Sequence, residues 1–105
     1  AEIDLNALPL LDGAQATSAA GILSSLQPAN VRLRRALRNQ EAAVAHPNYP
    51  LIFDPQTAGG LLASVPAAKA QACVEALKAL GYEHTAVIGR VLAQGDALAP
   101  IVLKF

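Results

Sequence analysis

The 105-residue chain is 53% hydrophobic, 15% charged and formally neutral, with eight basic and eight acidic residues. The length suits one small domain, and the composition excludes a disordered chain. Balanced charge excludes a global field that would draw in nucleic acid or an anionic membrane.

Cys73 is the single cysteine, so neither a disulfide framework nor a Cys/His zinc site is expected. No apolar run approaches the ~20 residues needed to span a bilayer, and no stretch reads as a secretory leader. A cytoplasmic protein is the expectation. Met is absent and the first residue is Ala1, which leads us to expect a piece of a longer protein.

In chain order, "AEIDLNALPLL" (1–11) predicts an extended lead-in, with Pro9 arguing against a central strand. Small residues at 13–20 predict a short helix stopped by Gly21. "SSLQPAN" predicts a loop, and Asn30 an N-cap for a helix over 31–45. The apolar positions of that helix, Val31, Leu33, Leu37 and Val44, give only partial periodicity. "HPNYP" (46–50) is a break, "LIF" (51–53) a short buried strand and "LLASV" (61–65) a second strand. After Pro66, residues Ala70, Cys73, Val74, Leu77 and Leu80 form one apolar helical stripe, closed by Gly81. "TAVIGRVLA" (85–93) predicts a strand with Gly89 as a bulge. "QGD" is a turn, and 98–105 a closing strand paired with 85–93 as a hairpin. The fold class expected is α/β (α+β layers), a mixed sheet packed with helices.

Between the predicted strands lies "FDPQTAGGLL" (53–62). Asp54-Pro55 joins an N-cap residue to a proline suited to a first helical position, so Asp54 is expected to accept from the N–H of Gln56 or Thr57. Gly59 and Gly60 permit positive φ and close approach of another molecule. Free N–H groups there suit an anion-binding nest, with the Gln56 and Thr57 side chains as further donors. No Gly-Lys-Ser/Thr follows, so this is not a Walker A loop. A strand after the glycines also argues against the dinucleotide-binding fingerprint. A plain structural turn between two strands is the competing reading.

"LIFDPQTAGGLLASVP", the amphipathic helix and "AVIGRV" together resemble the C-terminal part of the selenophosphate synthetase (selenide, water dikinase) family. The upstream "ALPLLDGA", "GILSS" and "PAN" are similar to that family's preceding segment, so the resemblance covers nearly the whole chain. It implies the later portion of a C-terminal domain of the aminoimidazole ribonucleotide synthetase-like type, as one domain over 1–105. It implies a parent enzyme that makes selenophosphate from selenide and ATP with magnesium, as a homodimer. The catalytic N-terminal domain, absent from this sequence, would be the partner within the same chain. This part would form a wall of the nucleotide and phosphate cleft, inactive alone and holding no cofactor by itself. The cleft candidates carried over are Asp54, Gln56, Thr57, Gly59 and Gly60. Pro55, Leu61 and Leu62 also match, whereas Ala58 stands where the family usually has Ser. No catalytic residue and no metal ligand is carried over.

Outside the loop, Cys73 reads as a core residue, and His46 and His84 as surface residues without metal spacing. Arg32, Arg34, Arg35 and Arg38 read as a solvated helix face, with 32 and 35, and 34 and 38, on common sides. No aromatics are interleaved to stack on bases, so no nucleic acid is expected. Two alternatives stay open, a small-ligand-binding module and a structural assembly module without enzymatic activity.

Overall fold

The computed structural model describes residues 1–105. It is a small mixed α/β domain around a three-stranded sheet. Strand β1 (Glu2–Asp4) lies in the middle, between β2 (Gly89–Arg90) and β3 (Val102–Lys104). It pairs antiparallel with β2, Ile3 opposite Gly89, and parallel with β3, Ile3 opposite Leu103.

This corrects two expectations. The lead-in does supply a central strand, which ends at Asp4, well before Pro9. The 85–93 and 98–105 segments do not pair as a hairpin but flank β1 on opposite edges. A two-stranded ribbon is marginal in water, and a strand inserted between the two gives each a partner. Nor is Gly89 a bulge, because it sits in register opposite Ile3. A Cβ there would run into the Glu2 carbonyl, so glycine is needed for the two backbones to approach.

Helix α1 (Ala14–Ala19) forms where the small residues predict it. It ends in a Schellman motif around Gly21 (φ 75°), with Ile22 N–H donating to Thr17 O at 2.9 Å and Gly21 N–H to Ser18 O at 3.0 Å. The same motif closes α4 (Ala70–Ala79) at Gly81 (φ 96°), through Tyr82 N–H to Leu77 O and Gly81 N–H to Lys78 O. No residue of α4 is buried, however. Its stripe is half-exposed from Ala70 to Leu77, Cys73 included, and exposed at Leu80, which corrects the core reading of that thiol.

The predicted helix 31–45 does not form as one piece. The "QPAN" of the expected loop is itself a turn of helix, α2 (Gln27–Asn30). A 3₁₀ helix follows at Val31–Ala36, and α3 is only Gln40–Ala43. Leu37 between them is extended (φ −96°, ψ 127°) because it meets the free edge of the sheet. Ile101 N–H donates to Ala36 O at 3.0 Å and Arg38 N–H to Ile101 O at 2.9 Å. The Asn39 side chain continues that ladder. Its Oδ1 accepts from Leu103 N–H at 2.9 Å and its Nδ2 donates to Leu103 O at 2.6 Å. An amide side chain carries the same donor and acceptor as a peptide group, so Asn39 substitutes for a strand residue.

"PLIF" (50–53) is a 3₁₀ turn rather than a strand. Tyr49 and Phe53 pack edge to face with ring centroids 5.3 Å apart. They join Leu5, Ala43 and Leu103 in the buried core, against which Ile3, Leu8, Val31, Leu37, Ile52 and Ile101 pack. The predicted strand 61–65 has no partner and is irregular. No helix is long and apolar enough to cross a membrane.

Two ion pairs lie on the sheet, Arg90 to Glu2 and Lys104 to Asp4, each with a 2.9 Å contact. The hydrogen bond from Lys104, then that from the Asn6 N–H, lowers the Asp4 pKa, and the same Asp4 contact raises that of Lys104. A lowered carboxylate contributes above its unfolded pKa and is lost as pH falls through its folded value; a raised amine contributes below its unfolded pKa and is lost as pH rises through its folded value. Urea unfolding of the parent and Lys104→Ala should therefore differ by a constant amount between about pH 5 and 9, and converge outside that window. Gly89→Ala should destabilise the fold by about 1–3 kcal/mol in the same measurement, the usual cost of overpacking. A Gly89→Ala variant as stable as the parent would exclude the β1–β2 pairing.

Candidate functional site

The loop 54–60 leaves the core through the 3₁₀ turn Pro50–Phe53. Phe53 is 5% exposed and anchors its base. Asp54 is half-buried at the end of that turn, and its N–H donates to Leu51 O at 3.2 Å. Its carboxylate Oδ2 accepts from Gln56 Nε2 at 2.6 Å. The expected cap bonds from the Gln56 and Thr57 N–H groups are not made. The Gln56 side chain takes the place of those amides, which leaves them free.

Gln56, Thr57, Ala58, Gly59 and Gly60 are all exposed. Their amides donate to no main-chain or side-chain acceptor. Gly59 and Gly60 do not have positive φ, which corrects the expectation of a left-handed, preformed nest. A Cβ on Gly59 would come 3.3 Å from Gln56 Cβ, while one on Gly60 would meet nothing within 4 Å. The glycines therefore keep this surface free of side chains. What the loop presents is a run of open N–H donors, the Thr57 hydroxyl and one carboxylate, a set that suits an oxyanion better than a cation. Leu61 and Leu62, 97% and 74% exposed, follow at once.

Two surface hollows lie elsewhere, of about 380 Å³ along 38–42 and about 210 Å³ between Ala1, Arg38 and residues 92–100. Arg38 Nε donates to Ala99 O at 2.8 Å, beyond the end of the 3₁₀ helix, so it does not share a face with Arg34 as expected. Arg32, Arg34 and Arg35 are exposed and make no ion pair. His46 is half-buried rather than on the surface. Its Nδ1 accepts from Asn48 N–H at 3.1 Å, and its Nε2 lies 3.2 Å from Asn6 Oδ1. His84 is exposed. No group of three or more His, Cys, Asp or Glu gathers in a way that would hold a metal ion.

The residues that the sequence reading missed are the supports of the loop. Gln27 Nε2 donates to Pro50 O at 2.8 Å, and Asn30 Nδ2 to Phe53 O at 3.1 Å. Asn30 was expected to cap a helix, yet its side chain caps nothing. Amide residues three apart beside a proline were the available signal.

Over 103 residues, 98% of its length, the chain is 31% identical to a selenide, water dikinase of Clostridium botulinum (strain Alaska E43 / Type E3). The chain is similar to selenide, water dikinases. A 53-residue stretch, half of the chain, is 49% identical to the selenide, water dikinase of Pelobacter propionicus. Selenide, water dikinase 2 of Peptoclostridium acidaminophilum is 29% identical over 90% of the chain. The matched regions make up 29%, 15% and 27% of these proteins respectively, so the chain spans less than a third of the length of the curated relatives it matches. No family model matches, and no solved structure matches.

Since position 58 is exposed and touches no ladder, Ala58→Ser should change the free energy of unfolding by no more than about 0.5 kcal/mol. Leu61→Gln should be similarly neutral, as judged by urea denaturation. A loss of several kcal/mol in either would mean that the loop is packed.

Proposed function

We propose that this chain is part of a selenophosphate synthetase, and that its loop 54–60 forms one wall of the cleft that receives the phosphates of ATP. The observation that carries the reading is the run of unpartnered amides from Gln56 to Gly60, in a chain similar over 98% of its length to a selenide, water dikinase. Backbone N–H groups on a glycine-bearing loop bind phosphate oxygens without a side chain intervening. Thr57 Oγ1 and Gln56 Nε2 add donors once phosphate competes with Asp54 for the Gln56 amide.

ATP supplies the phosphoryl group, and the donor set of the loop fits its oxygens. In this reading the magnesium of the reaction is held by other parts of the protein. In this reading the chain is the later portion of a C-terminal domain of the aminoimidazole ribonucleotide synthetase-like type. Its partner is an N-terminal catalytic domain of the same polypeptide, within a cytoplasmic homodimer. The loop orients and neutralises phosphate, and contributes no nucleophile and no general base.

In the complete protein, Gly60→Val should lower kcat/KM for ATP by about tenfold or more, since a β-branched side chain would stand between the amides and the phosphate. Stability should change little, because the position is open. The 105-residue chain alone should consume no ATP in the presence of selenide. Unchanged kinetics in Gly60→Val, or turnover by the chain alone, would overturn the proposal.

A further inference from the structure

The loop begins one residue after Phe53, and its direction is set where the Pro50–Phe53 turn is held. Two side chains hold that turn. Gln27 Nε2 reaches Pro50 O, and Asn30 Nδ2 reaches Phe53 O. Gln27 and Asn30 are the first and last residues of α2, three positions apart, and the carbonyls they grip are also three apart. The spacing matches because residues three apart lie on one side of a short helical turn. Gln27 is 3% exposed, so its donor faces no competition from water. Phe53 is the last residue of its turn, where a main-chain acceptor goes unpaired and needs an outside donor, while Gln27 holds the opening residue, Pro50.

We infer that Gln27 and Asn30 are positioning residues that aim the loop 54–60. They act as a two-point clamp from α2 on the turn from which the loop springs. The inference rests on the proposed phosphate-binding role of that loop. With both points held, the turn can neither pivot about one carbonyl nor slide along α2, and Asp54 leaves the core at a fixed angle. Without Asn30 the Phe53 carbonyl loses its donor, and the distal end of the turn is held by the Phe53 ring and the Asp54 N–H bond to Leu51 O. The loop amides then sample more orientations, and binding has to order them at an entropic cost.

The test uses nuclear magnetic resonance on the 105-residue chain, with inorganic tripolyphosphate as the probe. Asn30→Ala should lower the heteronuclear NOE of Asp54, Gln56 and Thr57 and weaken the tripolyphosphate-induced shifts of the 56–60 amides by about fivefold to tenfold in affinity. Gln27→Ala should act in the same direction, and Asn30→Gln, which retains the donor, should restore part of the loss. Arg90→Ala is the control, as it removes the Glu2 ion pair at the β2 edge of the sheet, outside the cluster that holds Phe53. It should leave loop order and affinity within about twofold of the parent at a temperature where both are folded. Unchanged loop order in Asn30→Ala, or an equal loss in Arg90→Ala, would overturn the clamp. If the parent shows clamp-dependent loop order yet no tripolyphosphate shifts at 56–60, the clamp stands and the phosphate-binding reading falls.

Discussion

The Asn39 side chain bonds both main-chain groups of Leu103, and the architecture depends on that pair of contacts. The outer edge of β3 would otherwise expose an unpaired N–H and C=O beside the core, at a cost of about 1–3 kcal/mol for each group left buried and unsatisfied. Leu37 covers Ile101, two residues earlier on the same edge, with a single main-chain bridge. Asn39 covers the next position with its side chain, which allows the backbone to turn away into α3. Ala43 is thereby brought against Leu103, Leu5, Tyr49 and Phe53. The seam between the sheet and the helical segments is thus a run of three residues, and the core forms directly behind it.

The same device recurs wherever the backbone is irregular. Asn48 is buried, donates to Leu5 O at 2.8 Å and accepts from Gln15. Gln27 and Asn30 serve the turn before the loop. Short helices and short strands leave many main-chain groups without partners, and four amide side chains take up those nearest the core. No buried side-chain polar atom is left unsatisfied. The exposed amides from Gln56 to Gly60 donate to no protein acceptor, as is also true of the irregular stretches 61–65 and 91–99, and the loop is set apart by its glycines and by the supports beneath it.

Local chemistry was legible in the sequence where it decides the structure by itself. Gly21 and Gly81 were expected to stop helices, and both do so with positive φ in Schellman motifs. The stripe from Ala70 to Leu80 gave a helix of nearly the expected length. The mixed α/β class was also legible, as was the site of the loop between Phe53 and Leu61. Pairing was not legible. Nothing in "EID" announces a central strand, and two later segments with stronger β character suit each other. Residues 31–45 read as one helix because Leu37 fits the helical stripe. The competing interaction, an extended Leu37 beside Ile101, lies 64 residues away and leaves no local trace. The roles of Gln27, Asn30 and Asn39 were hidden for the same reason, since each bonds a carbonyl at least 23 residues distant.

Residue-resolved hydrogen exchange on the 105-residue chain tests most directly the claim that side-chain amides close the core while the loop is left open. The amides of Asp4, Ile101 and Leu103 should exchange slowest, with Leu103 accelerated by Asn39→Ala. Those of Gln56, Thr57, Gly59 and Gly60 should exchange at close to the rates of an unstructured peptide. Protection of these four amides comparable to that of Leu103 would contradict the account.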